Sequence, residues 1–166
     1  MLYKAFKLVF LFIFATVCHW GLATLFSFYG MSVNMMLVFA IAFCTVLPLE
    51  AGYPLVFLCG LFLDFFGTKL FGNNAFSFTV IACIIYALRE RIDFERYLPQ
   101  MVTVFLCTLI VGIINSILLI WFTSSSQWPG VLSLLGGAII DGLFAPFVFG
   151  LARFALREES PMVVRR

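Results

Sequence analysis

Few residues in this sequence could do chemistry, and the two best placed are aspartates standing behind glycines in apolar surroundings. Asp64 lies in the stretch 50–75, EAGYPLVFLCGLFLDFFGTKLFGNNA, where Gly52, Gly60, Asp64 and Thr68 are spaced in multiples of four. On a helix these residues share one face. Asp141 lies in Gly136-Gly-Ala-Ile-Ile-Asp-Gly142, and Gly60-x-x-x-Asp64 and Gly137-x-x-x-Asp141 repeat one spacing, a faint sign of internal duplication. A carboxylate is costly in lipid unless a partner covers it, and small residues beside it let another helix come close. Two such acids with no basic partner at their depth are the makings of a proton or cation site. The competing reading is structural. Asp64 then ties a loop to the start of the next helix, whose free N–H groups and positive dipole end attract an anion. Lys69 is its second candidate partner, and Asp141 bonds within the bundle to a group such as Asn115 or Ser116.

Other chemistries find little support. The only histidine, His19, stands beside Cys18 and Trp20, and a metal there would need Asp64 or Asp141 as co-ligands; a hydrogen-bonding histidine is the simpler expectation. The five cysteines (Cys18, Cys44, Cys59, Cys83 and Cys107) lie in apolar runs without a C-x-x-C pair, the pattern of small buried hydrophobes. There is no Walker motif, no H-x-x-x-H, no G-x-S-x-G and no nucleic-acid signature. The expectation is therefore a chain without catalytic residues, cofactor or metal, and not an enzyme.

The elements that position these residues follow from composition. Of 166 residues, 64% are hydrophobic and 11% charged, with a mean hydropathy of +1.14. Soluble domains average about 45–50% apolar and about 25% charged. So apolar a chain is an integral membrane protein, read here as one all-α membrane domain over 1–166. The expected spans are 5–28, 34–49, 54–66, 73–88, 98–122 and 131–156, with Pro48 and a turn at 50–54 separating the second from the third. Asn73 or Asn74 is the expected cap of the fourth.

A crossing takes roughly 20 residues, so 34–66 is too long for one passage and slightly tight for two. Charge decides between them. Lys4 and Lys7 precede the first span, and Arg89, Arg91 and Arg96 follow the fourth. Placing both groups inside requires an even number of crossings between them. Six spans put these five residues with Arg153, Arg157, Arg165 and Arg166 on the cytoplasmic side, leaving Lys69 outside and both termini inside. Trp121 and Trp128 then anchor the outer interface. Small residues at i+4 spacing mark expected packing faces: Ala138, Gly142, Pro146 and Gly150; Ala75, Thr79, Cys83 and Ala87; Thr108, Gly112 and Ser116.

At 52–85 the sequence resembles the rod shape-determining protein MreD family, whose glycine-led helix reads G-x-x-x-G-x-x-x-D-x-x-x-G before a short loop, a second glycine and an Ala-rich helix. The corresponding residues are Gly60, Asp64, Gly67 (three residues after the aspartate, where the pattern has four) and Gly72, followed by AFSFTVIACII from Ala75 to Ile85. Where that family often has Arg-Pro-Asn or Arg-Pro-Asp before the second span, this chain has Ser32-Val33-Asn34. The resemblance implies a non-enzymatic subunit of the bacterial cell-elongation, peptidoglycan-synthesising machinery in the cytoplasmic (inner) membrane. It implies an MreC-like bitopic partner and, through it, MreB, the glycosyltransferase RodA and a class B penicillin-binding transpeptidase. Gly52, Gly60, Asp64, Gly67, Gly72, Asp141 and Gly142 are the expected partner-binding or structural positions, with Gly60, Asp64 and Gly67 shaping one side of the partner site. The six-helix layout is also similar to the substrate-binding subunits of energy-coupling-factor vitamin transporters. That likeness supplies the alternative, a small-molecule cavity lined by Asp64, Asp141 and Asn115.

Overall fold

A computed structural model describes residues 2–27, 33–67, 70–123 and 130–156. Six helices make up the described chain: α1 (Leu2–Ser27), α2 (Met35–Val46), α3 (Leu49–Gly67), α4 (Asn73–Leu88), α5 (Tyr97–Thr123) and α6 (Val131–Leu156). Four of them, α1, α3, α5 and α6, are long and apolar enough to cross a membrane, which makes this a multi-pass membrane chain. The other two are shorter. At 1.5 Å per residue, the 12 residues of α2 reach about 18 Å and the 16 of α4 about 24 Å.

The shortest helix is the axis of the bundle. Every residue of α2 from Met35 to Cys44 is buried, because a helix apolar on all sides must be surrounded and here its neighbours are α1, α3, α4, α5 and α6. The hairpins α3–α4 and α5–α6 pack on either side of it. The first helix is peripheral. It rests on the bundle through Leu11 and Ala15, leaves Val9, Phe10, Ile13 and Val17 exposed, and reaches α3 through aromatic side chains. Phe12 meets Phe62 and Trp20 meets Phe66, both edge-on, at centroid distances of 5.3 and 5.6 Å.

The expected third span, 54–66, starts too late. Leu47 is extended (φ −87°, ψ 151°) because the following Pro48 disfavours helical geometry in the residue before it, and this is where the chain turns. Helix α3 then begins at Leu49, with the Pro48 carbonyl accepting from Ala51 N and Gly52 N at 3.2 and 2.9 Å. The residues read as a turn, 50–54, are its first turns, and Pro54 lies inside the helix on an exposed side. The second span correspondingly ends at Val46 rather than 49. Both α4 and α6 keep the expected bounds, while α5 gains a residue at each end. The expected end of the first span at Phe28 lies outside the described residues, as do Thr68, Lys69, Trp128, Arg157, Arg165 and Arg166.

Basic residues lock one end of this bundle. Arg89 donates to Leu47 O at 2.9 Å and to Cys44 O at 3.4 Å, satisfying carbonyls that the last turn of α2 leaves free. Arg153 of α6 donates to Phe94 O, which Gln100 Nε2 also reaches at 2.5 Å. Of the expected small-residue tracks, the one of Thr108, Gly112 and Ser116 on α5 does face the bundle: Thr108 and Ser116 are buried and a Cβ at Gly112 would strike Leu134. The two longer tracks fare less well, because a helix turns 100° per residue and strict i+4 positions drift off one face. By Cys83 and Gly150 the tracks on α4 and α6 have rotated into exposure. The buried stripes instead run Asn74, Phe78, Ile81, Ala82 and Ile85 on α4, and Ala138, Asp141, Ala145, Phe149 and Ala152 on α6.

Candidate functional site

Gly52, Val56, Gly60 and Asp64 form the buried face of α3, and that face is turned to α4 of the same chain. A Cβ at Gly60 would stand 2.6 Å from Ala75 Cα and 2.7 Å from Asn74 O, so only glycine lets the two backbones touch. A Cβ at Gly52 would collide with the Tyr86 hydroxyl, which donates to Leu47 O and Pro48 O at 3.4 Å. One turn above Gly60, the buried Asp64 carboxylate accepts from Asn74 N (3.0 Å), Ala75 N (2.9 Å) and Asn74 Nδ2 (3.1 Å). The expected cap of α4 is thereby corrected. Neither Asn73 nor Asn74 caps the helix; its N-cap residue is Gly72, in the left-handed region (φ 91°), which brings no side chain, so an aspartate from the preceding helix does the capping. Carboxylate hydrogen bonds to free N–H groups at a positive helix end are among the stronger kind.

Asp141 does the same for α2. It is fully buried, and its two oxygens accept from Asn34 N at 3.0 and 3.2 Å; Thr108 Oγ1 adds a bond at 3.2 Å. Asn34 is itself the N-cap of α2, its Oδ1 accepting from Leu37 N at 3.3 Å. The partners expected for Asp141 are engaged elsewhere. Asn115 donates to Asn74 Oδ1 at 2.9 Å and accepts from Ser77 Oγ at 2.5 Å, whereas Ser116 donates to Gly112 O within its own helix at 2.7 Å. Gly142, next to Asp141, lets α6 approach α5: a Cβ there would be 3.2 Å from Met101 O. The two aspartates therefore serve one purpose at separate places. Each long helix carrying Gly-x-x-x-Asp seats the start of a shorter helix.

Gly67 and Gly72 differ from the other motif glycines. A Cβ at either would meet nothing within 4 Å among the described residues, and only Gly72 needs glycine for its backbone angle. Among the described residues no three His, Cys, Asp or Glu side chains come together as a metal site, and the five cysteines are free thiols.

The starts of α2 and α4 leave a cavity of about 490 Å³ between them, at the end of the bundle away from Arg89. Its polar walls are His19 of α1, Asn34 of α2, Asn73 and Asn74 of α4, and Thr108, Asn115 and Ser116 of α5; Leu37, Leu63, Val111, Leu119 and Leu134 supply apolar wall. The cavity is not lined by Asp64 or Asp141, which turn their oxygens to helix starts, so of the three expected lining residues it keeps Asn115. A second groove, also about 490 Å³, runs between α1 and α3 and is apolar throughout: Leu8, Val9, Phe12, Leu55, Leu58, Leu61, Phe62, Phe65 and Phe66. The polar chain from Ser77 through Asn115 and Asn74 to Asp64 is not among the features expected from the sequence. Its signal was present: an asparagine pair opening one apolar helix and a lone asparagine inside another must find partners. No family model, curated protein or solved structure matches this chain.

Proposed function

We propose that this chain is a six-span, non-enzymatic scaffold subunit of the bacterial cell-elongation machinery in the cytoplasmic membrane, holding the transmembrane helix of an MreC-like bitopic partner. The observation that carries this reading is the groove between α1 and α3. Its lining is apolar throughout, and α1 meets α3 there through the long side chains Phe12 and Phe62. A single apolar helix laid there gains packing contacts without needing a polar handle. The buried acids support the reading from the other side, since both are engaged in holding helix starts and none faces the groove. Gly60 and Asp64 then act on a partner indirectly, by fixing the hairpin whose outer face, Leu55, Leu58 and Phe62, forms one wall. As for six crossings, α2 is sheathed by protein, so its length need not match the thickness of the lipid. The mechanism is stabilisation of an assembled peptidoglycan synthase, with RodA, a class B penicillin-binding transpeptidase and MreB reached through the partner.

The test is affinity purification from membranes with identification of the co-purifying proteins. The expected result is recovery of an MreC-like protein, diminished by Leu58→Asn and Phe62→Asn while the bundle stays folded. Recovery of an ATPase module instead would overturn the scaffold and favour the substrate-binding subunit of a vitamin-type transporter.

A further inference from the structure

In a membrane interior, polar side chains are few and mark where something polar is handled. Among the described residues nine polar or charged ones are buried, and seven of these belong to one place. Asn73, Asn74, Thr108 and Ser116 line the cavity between the starts of α2 and α4; Asp64, Asp141 and Ser77 bond directly to residues that line it. Most of these groups satisfy one another. Asn73 does not: it is 7% exposed and its Oδ1 has no hydrogen-bond partner among the described residues. The Nδ1 of the half-buried His19 is likewise a buried atom without a partner among them. Both residues line the cavity, Asn73 from α4 and His19 from α1. An unpaired buried polar group is costly, and a ligand that pairs with it removes that cost.

The chemistry of the walls limits what enters. The N–H groups of Asn34, Asn74 and Ala75 at the starts of α2 and α4 are already taken by the Asp141 and Asp64 carboxylates, so they are closed to a second anion. No charged side chain is among the described lining residues, so nothing there pairs with a cation either. The remaining lining is amide, imidazole, hydroxyl and leucine or valine side chains, in a volume within the usual range of about 300–1,000 Å³ for small-molecule sites. We infer that this cavity binds a neutral, ring-sized molecule carrying paired hydrogen-bonding groups, such as an aromatic amide, held by Asn73 and His19 against the wall of Leu119 and Leu134. The inference goes beyond the scaffold reading and does not depend on it, because ligand binding and partner capture are read separately.

The probes are benzamide and benzoate, equal in size and different in charge, offered to the full chain in phosphatidylethanolamine–phosphatidylglycerol nanodiscs and read by saturation-transfer NMR against empty nanodiscs. A fragment of this size is expected to bind in the millimolar range, with benzoate about tenfold weaker. Asn73→Leu should weaken benzamide about tenfold through the lost hydrogen bond. Leu119→Trp, which fills the cavity and leaves its polar groups in place, should abolish binding, and it carries the test should Asn73→Leu fail to fold. No benzamide signal above empty nanodiscs, equal binding of the two probes, or benzamide binding unchanged in folded Asn73→Leu or Leu119→Trp would each overturn the inference.

Discussion

Replacing Asp64 tests the central structural claim, that an aspartate on one helix forms the start of the next. In Asp64→Ala, the N–H groups of Asn74 and Ala75 lose their acceptor in a buried setting. Each such loss costs about 1–3 kcal/mol, and removing negative charge from a positive helix end adds about 1 kcal/mol. The expected destabilisation is about 4 kcal/mol. Asp64→Asn keeps the shape and one acceptor oxygen but loses the charge, and its loss should be about half as large. Reversible unfolding in mixed dodecyl sulfate–maltoside micelles measures the whole effect. Hydrogen exchange locates it: amides 74–76 should exchange at least tenfold faster in Asp64→Ala, while those of α5 from Val104 to Gly112 keep their wild-type rates. Because Asn74 Nδ2 also reaches Asp64 at 3.1 Å, Asn74→Ala and Asp64→Ala should be non-additive. The reasoning is refuted if Asp64→Ala unfolds within about 1 kcal/mol of wild type, or if accelerated exchange spreads evenly over the bundle.

Two further outcomes follow from the geometry. Gly60→Ala forces a Cβ against the backbone of Ala75 and should cost about 1–3 kcal/mol, whereas Gly150→Ala, with nothing within 4 Å among the described residues, should stay within about 0.5 kcal/mol of wild type in the same unfolding assay. Thr108→Val removes one of the bonds to Asp141 and should cost about 1 kcal/mol; Asp141→Ala, which also strands Asn34 N, should cost at least twice as much, and the reverse order would contradict the assigned roles.

Much of the helical plan is legible in the residues, and its failures share a cause. The bounds of α4 and α6 can be read because apolar runs follow directly on asparagine or glycine. The start of α3 is hidden because Gly52 and Pro54 look like turn residues, while the true break is set by Pro48 acting on the residue before it. That Asp64 lies near the start of α4 can be reasoned from the short loop, since only ten residues separate it from Asn74. The Asp141 partner cannot be found in that way. Asn34 is 107 residues distant, and the depth at which α2 begins is set by the surrounding helices, not by any local pattern. The i+4 tracks on α4 and α6 mislead at their far ends for a geometric reason, since four residues overshoot a helical turn, whereas the shorter track Thr108, Gly112 and Ser116 on α5 stays on the packed side.

The distance in sequence between Asn34 and Asp141 also has a temporal meaning. A chain made from its N-terminus completes α2 long before α6, so the seat for the central helix arrives after the other five described helices. The α3–α4 hairpin has no such delay, because its seat and its start are ten and eleven residues apart. Local closure is fast and long closure slow. The hairpin is thus the piece that assembles alone, and α6 is the keystone: a chain stopped short of Asp141 would have a finished hairpin beside a central helix with no fixed depth.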